Sequence, residues 1–388
     1  MSHKIGRVFS SFHWSPLFLV FLLAFVPRIL GVLFTTITGA NPFAQADSLT
    51  FASHAERTAH AVRTNGPSAL LDVNISNTNK RIGAMWSVFW LLPGYSHLYA
   101  RLASGFIGSV AILFVYLIAK RYFSDRAGIY AILPIALFPS FILVHSTVLR
   151  ESVLLFCVTG AAYFFVTLKQ SRRPWALISP ALGLLFVAGI LRNFMFPVFG
   201  ATAVLVAAVY AIQSLSLRGK VAGLLGSFLS IGFLSVVTQK YIGVTLTDAP
   251  SYYARRRARL ARGRTAYLVD VIPSSFFDTL LYGPILTAYF LFAPFPWMID
   301  DQITDIMPMV EGILTVILLV GAVYGVRYSL HKRPSYTIML VSGFVIGAVG
   351  FGLGVANYGH AARLRHGFTW VIYLYAGIYL SQRFVFKL

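Results

Sequence analysis

Cysteine is nearly absent from this chain: among 388 residues there is one, Cys157, inside an apolar run. A lone cysteine builds neither a disulfide framework nor a thiolate metal site, and it reads as a small buried hydrophobe. Acids are scarce as well. There are 12 Asp+Glu against 32 Lys+Arg, and charged residues make up 11% of the chain, about half the share of a soluble protein. Tandem repeats and low-complexity tracts are missing. So are a glycine-rich phosphate loop, a nucleophile elbow and a zinc motif. His54, His60, His145 and His360 stand at no metal-ligand spacing. Nucleotide-loop, zinc and thiol chemistry are thereby set aside.

What the chain has in excess is apolar length. Hydrophobic residues are 57% of it and mean hydropathy is +0.74. Several apolar runs exceed the roughly 20 residues that cross a bilayer core. The expected fold is all-α: a polytopic transmembrane bundle of about ten to eleven helices. It forms a single integral membrane domain over 1–388, with amphipathic helices on its outer face and no soluble C-terminal domain. Spans are expected at 15–38, 100–119, 127–147, 152–168, 175–191, 195–213, 221–238, 309–326, 336–356 and 368–382.

The net charge of +20 would suggest nucleic acid in a soluble protein. Here it is spread over the segments between spans, so membrane lipid or phosphate is the expected partner and nucleic acid is not. Lys4 and Arg7 precede the first run. Ala44-Gln45-Ala46 mimics a leader cleavage site, but the apolar run before it is too long for a signal sequence. A retained first helix with a cytoplasmic N-terminus is expected. Lys120-Arg121 with Arg126, Lys169 with Arg172-Arg173, Arg218 with Lys220, and Arg327 with Lys332-Arg333 then share that side. This leaves two long outer loops, 39–82 and 239–308. The second holds an apolar stretch, 276–298, expected to form a re-entrant or interfacial hairpin broken by its prolines.

The second basic population breaks the topological rule. Arg255, Arg256 and Arg257, with Arg259, Arg262 and Arg264, fall in an outer loop. Arg150, Arg192, Arg363 and Arg365 fall at outer helix mouths, with Asn357 and His360 beside the last two. Arginine offers a planar, always-charged fork that matches phosphate oxygens. These residues are the candidate substrate-binding set. Headgroup contacts explain any single member, but less readily a set gathered on one side. Arg28, inside the first span, is the main exception to charge gathering at helix ends, and its length allows it to snorkel to the surface.

Among the few acids, Asp47 stands about nine residues beyond the first span, at the start of a stretch that is amphipathic if helical. It is a candidate helix cap and a candidate general base that deprotonates an acceptor hydroxyl. Glu151 opens the fourth span next to Arg150, where a carboxylate favours the helix dipole. It is the second catalytic candidate. Asp300, Asp301 and Asp305 give only a weak divalent-cation pattern, so neither metal nor cofactor is expected.

The blocks Arg101-Leu-Ala-Ser-Gly-Phe-Ile-Gly, Tyr116-Leu-Ile-Ala-Lys-Arg-Tyr-Phe-Ser-Asp-Arg-Ala-Gly and Leu137-Phe-Pro-Ser through Leu149-Arg-Glu-Ser resemble the GT-C membrane glycosyltransferases. That superfamily includes polyprenyl-phosphate-sugar-dependent mannosyltransferases and aminoarabinose transferases. The resemblance covers about 15–170. It implies an inverting transfer of a sugar from a polyprenyl-phosphate donor to a glycan, lipid or protein acceptor at the extracytoplasmic membrane face. It also implies that the acid of the first outer loop, here Asp47, is the base, and that outer basic residues hold the lipid phosphate. Phe51 stands where that family usually has a tyrosine. Two other readings remain open: a Wzy-type polysaccharide polymerase using diphosphate-linked oligosaccharides, and a flippase or transporter. A transporter is expected to place charge mid-membrane at broken helices.

Overall fold

The computed structural model describes residues 15–384 apart from 41–42, 44, 75–76, 169–170, 172, 214–216, 244, 246–247 and 300–301. Lys4, Arg7, Lys169, Arg172, Asp300 and Asp301 lie outside the described residues, as do the side chains of Arg218 and Lys220.

The described chain is helical, and its one β-bridge joins Ala266 to Asn357. The helices are α1 Pro16–Thr38, α2 Gln45–Asn65, α3 Thr78–Trp86, α4 Ser96–Tyr122, α5 Asp125–Leu137, α6 Pro139–His145, α7 Glu151–Thr167 and α8 Trp175–Leu191. There follow α9 Met195–Gln213, α10 Leu217–Val237, α11 Ala249–Leu260, α12 Phe276–Phe292, α13 Ile303–Lys332, α14 Pro334–Gly354, α15 Tyr358–Leu364 and α16 His366–Arg383. By length and composition, five described helices can cross a membrane: α1, α4, α9, α13 and α14. The bent pair α5–α6 makes a sixth. Four shorter apolar helices occur, at Glu151–Thr167, Trp175–Leu191, Gly223–Gly232 and Phe276–Phe292. This is an integral membrane protein.

A helix that carries polar side chains along its length sits at the centre. Helix α16 is buried without interruption from His366 to Ile378, packed against α5 and α13. Shielded from lipid by its neighbours, it tolerates Thr369, Tyr373 and Tyr375 along its length. Close approach depends on small residues, as membrane helix packing requires. A Cβ at Gly377 would stand 2.5 Å from the Ala131 nitrogen.

Two expectations are corrected here. The run 127–147 is not one straight span but α5 and α6, bent by 67°. Pro139 is the cause. The residue before a proline is pushed out of the helical region, and Phe138 has φ −64° and ψ 126°. The stretch 276–298 is not a hairpin. Helix α12 runs through Pro284 without a break, and the chain turns only at Ala293 and beyond.

A break inside a bundle frees backbone groups that need partners. Buried charges from other helices supply them. Arg28 of α1 donates to the Ile135 carbonyl at 3.0 Å, to Ala24 O at 2.8 Å and to His145 Nδ1 at 3.3 Å. Glu311 of α13 accepts from the Ser140 backbone N–H at 2.7 Å and from its hydroxyl. The cation thus meets the C-terminal end of one half-helix and the anion the N-terminal end of the other, as their dipoles favour. Arg28 does not snorkel: it is fully buried.

Candidate functional site

The site lies where α1 hands over to α2, α6 to α7, α8 to α9 and α14 to α16. Helix α2 carries Asp47 in its first turn. Its inner face, with Phe51, Ala52, Ala55 and Ala59, packs on Ile82 and Trp86. That burial fixes the helix and leaves Asp47 half-exposed at its start.

Asp47 Oδ2 accepts from Arg363 Nη1 at 2.5 Å, and Arg363 is almost buried. The second Nη of Arg363 lies 3.0 Å from His360 Nδ1. A guanidinium only donates, so Nδ1 accepts and the ring proton sits on Nε2. The His360 pKa is held well below its ordinary value, first by burial and then by Arg363, Arg192, Arg256 and Arg150. The imidazole is therefore neutral and orients Arg363 without adding charge. Asn357 is the N-cap that starts this short helix, its side chain accepting from the His360 backbone N–H at 3.1 Å.

Glu151, the first residue of α7, is 4% exposed and accepts from Arg192 Nη2 at 2.8 Å, with Arg150 Nε 3.9 Å away. Arg150 donates to Leu191 O at 3.3 Å. Burial lowers the affinity of both arginines for their protons, and the neighbouring cations Arg256 and Arg363 push the same way. A guanidinium stays charged regardless, so the direction of these shifts signals an electrostatic demand for anions. Arg256 hydrogen-bonds Tyr252 OH at 3.2 Å and rides over the Phe194 ring at 5.3 Å, beside Gly354, whose missing side chain makes room for its Cδ and Nε.

Aromatic faces floor the other guanidinium groups, Arg150 over Phe51 and Arg192 over Phe351. Phe51 thus serves as a cation–π platform. Four arginines face two carboxylates here. Glu151 Oε2 and the Nε atoms of Arg150, Arg192 and Arg363 are buried and find no hydrogen-bond partner among the described residues.

Other candidates are placed elsewhere. Arg257 is fully buried and donates to four carbonyls, of Val271, Val355, Tyr267 and Leu268, at 2.6–3.0 Å. Arg365 donates to the carbonyls of Leu291, Ala293 and Pro308. Both staple the loop 261–275 and the end of α12 to the bundle, with no donor set turned to the cluster. Arg255 is exposed on the outer side of α11. Asp305 is bound by both Nη atoms of Arg264, which leaves it engaged rather than open to a cation. Among the described residues no group of three or more metal-ligating side chains forms.

Sequence reading missed Arg81, which reaches Asn193 Oδ1 at 3.1 Å and ties α3 to the turn after Arg192. Its position in a long polar loop carried no signal. It also missed an apolar cavity of about 530 Å³ beginning just past Arg192, lined among others by Met195, Phe196, Phe186, Phe344 and Trp370.

Residues 82–238 match the family model of the dolichyl-phosphate-mannose-protein mannosyltransferases, which meets the resemblance read from the residues. The fold is similar to the apo crystal structure of an oligosaccharyltransferase from Archaeoglobus fulgidus, with a TM-score of 0.49 and 14% identity. That alignment covers 96% of this chain, which spans about half (50%) of the archaeal one. No curated protein matches the chain.

Proposed function

We propose that the chain is a membrane glycosyltransferase of the GT-C type. It takes a sugar from a polyprenyl-phosphate donor and passes it to a glycan, lipid or protein acceptor at the extracytoplasmic face, with its N-terminus in the cytoplasm. The observation that carries this reading is the joining of Asp47, Glu151, Arg150, Arg192, Arg256 and Arg363 in one cluster. The match over 82–238 supports it.

The chemistry follows from the groups present. The acceptor oxygen attacks the anomeric carbon while the bond from that carbon to the phosphate oxygen breaks, inverting the centre. Asp47 takes the acceptor's proton, and Arg363 and neutral His360 hold the carboxylate in place. The departing phosphate carries its electron pair into the field of Arg150, Arg192 and Arg256, where fixed guanidinium groups stabilise developing charge without reorganising. This assigns leaving-group stabilisation to arginine. Glu151 holds Arg192 and keeps one oxygen free to orient the sugar or acceptor. The donor's tail occupies the apolar cavity behind Met195 and Phe196, whose rim residues Leu182 and Phe186 are half-exposed towards lipid.

The test is transfer from a panel of radiolabelled polyprenyl-phosphate sugars by the chain in proteoliposomes. Transfer lost on Asp47→Asn, with donor binding retained, supports the reading; transfer unchanged in a folded variant overturns the base. Four arginines also suit a diphosphate, as in the polymerase reading. Turnover with diphosphate-linked oligosaccharides alone would favour it.

A further inference from the structure

The opposite end of the bundle holds a second built cavity, unrelated to the arginine cluster. Helix α4 is 27 residues long, about 40 Å at 1.5 Å per residue. Its first turns lie at the Asp47 end and its last at this one. Here the C-terminal ends of α4, α13 and α16 meet the starts of α5 and α14. Between them is a polar pocket of about 290 Å³ lined by Tyr122, Ser124, Tyr328, Lys332, Arg333 and Gln382, with Phe123 and Ser381 completing the wall.

The walls are fixed in place. Tyr122 hydrogen-bonds the Val166 carbonyl, and Arg333 lies over its ring at 5.4 Å. Phe123 packs on Tyr328. Ser124 is the N-cap of α5, its hydroxyl accepting from Ala127 N at 3.1 Å. The neighbouring acid is Asp125, already engaged by Lys120 at 2.7 Å and by Tyr116. The cavity therefore presents two cations, hydroxyls and an amide, with no carboxylate in its lining. Its volume equals roughly ten waters, room for a phosphate and a small polar substituent.

We propose that this pocket binds the phosphate headgroup of an anionic membrane lipid. Lys332 and Arg333 supply the charge, and Ser124 and Gln382 the hydrogen bonds. A phosphate fits better than a carboxylate because it offers oxygens to donors on several sides, here on three helices. A lipid fits because the pocket opens where α13 and α16 end, at the level where spans meet headgroups. Basic pockets between helix ends at this level are suited to such headgroups. The occupant would tie the feet of α13 and α16 together, since their residues line opposite walls. This assignment does not depend on the reading of the Asp47 cluster.

The experiment is native mass spectrometry of the full chain released from nanodiscs of equal phosphatidylglycerol and phosphatidylcholine. The wild type should retain phosphatidylglycerol in preference. Lys332→Gln with Arg333→Gln should weaken that retention about thirtyfold, the loss of two near-surface charges. Lys120→Gln with Arg121→Gln removes equal charge from the same end outside the pocket, and should leave retention within about threefold. Equal loss in both double variants would overturn the pocket in favour of diffuse surface charge. Displacement of the lipid by millimolar inorganic phosphate would overturn the lipid in favour of a soluble phosphate ligand. If the 332/333 variant does not fold, Gln382→Ala tests the same wall, and unchanged retention there would sink the proposal.

Discussion

Two sets of arginines lie within a few residues of each other at one end of this bundle, and they differ in what their donors face. Arg257 and Arg365 end on backbone carbonyls. Arg150, Arg192, Arg256 and Arg363 end on two carboxylates, a tyrosine hydroxyl, a histidine and a carbonyl, with aromatic rings beneath three of them. The first set closes loops; the second keeps net positive charge in a partly buried place. Arg256 and Arg257 are sequential, so helix periodicity alone separates the roles. Residues one apart on a helix point about 100° away from each other.

The comparison breaks most sharply at Asp47. Asp47→Asn should cut turnover about a thousandfold, as loss of a general base does, while donor affinity measured on the same proteoliposomes stays within about threefold. Next, Arg256→Ala should weaken donor binding some tenfold to a hundredfold, the cost of one charge-assisted contact to phosphate, with little change in thermal midpoint. Arg257→Ala should do the reverse. It strands four carbonyls, the two of Tyr267 and Val355 buried, at about 1–3 kcal/mol for each buried one left unmet, so the midpoint falls steeply and the folded fraction keeps its donor affinity. If both variants behave alike, the division into two sets is wrong.

A smaller effect concerns pH. The folded-state pKa of His360 lies below its ordinary value of 6.5, so the unfolded chain binds the proton first. Stability is complete above about pH 6.5 and declines as pH falls below it, by up to about 1.4 kcal/mol per unit. His360→Gln should flatten that decline in a stability–pH profile. Smallest of all, Arg255→Gln should leave binding and turnover within about twofold, because the exposed side chain faces away from the cluster.

Much of this was legible in the residues. The apolar runs located α7 at 151–167 and α8 at 175–191 to within a residue. Asp47 was singled out by its place just past the first span, and the outward arginines by an excess of charge where topology does not require it. Other features were not legible. A triplet such as Arg255-Arg256-Arg257 does not reveal which member turns inward, because that depends on carbonyls from 267–271 and 355 arriving in space. The bend at Phe138-Pro139 was written in a proline that also occurs harmlessly inside α7's neighbour, as Pro180 in α8. Glu311, inside the span expected at 309–326, is consumed by the Ser140 amide that this bend exposes. Mid-membrane charge at a broken helix is what a transporter was expected to show. Here both Arg28 and Glu311 are committed to closing the break, and the open polar space lies at the bundle ends.

The break also sets a timetable for biosynthesis. Arg28 leaves the ribosome 107 residues before the Ile135 carbonyl it caps, and Ser140 waits another 171 for Glu311. At about 5–20 residues per second, the second wait is roughly ten to thirty seconds. Until α13 enters the bilayer, the N-terminal spans hold an unmet amide in their midst, so the earlier helices cannot settle as an independent unit. Expressed as separate fragments cut at 214–216, the two halves should be recovered only when made together.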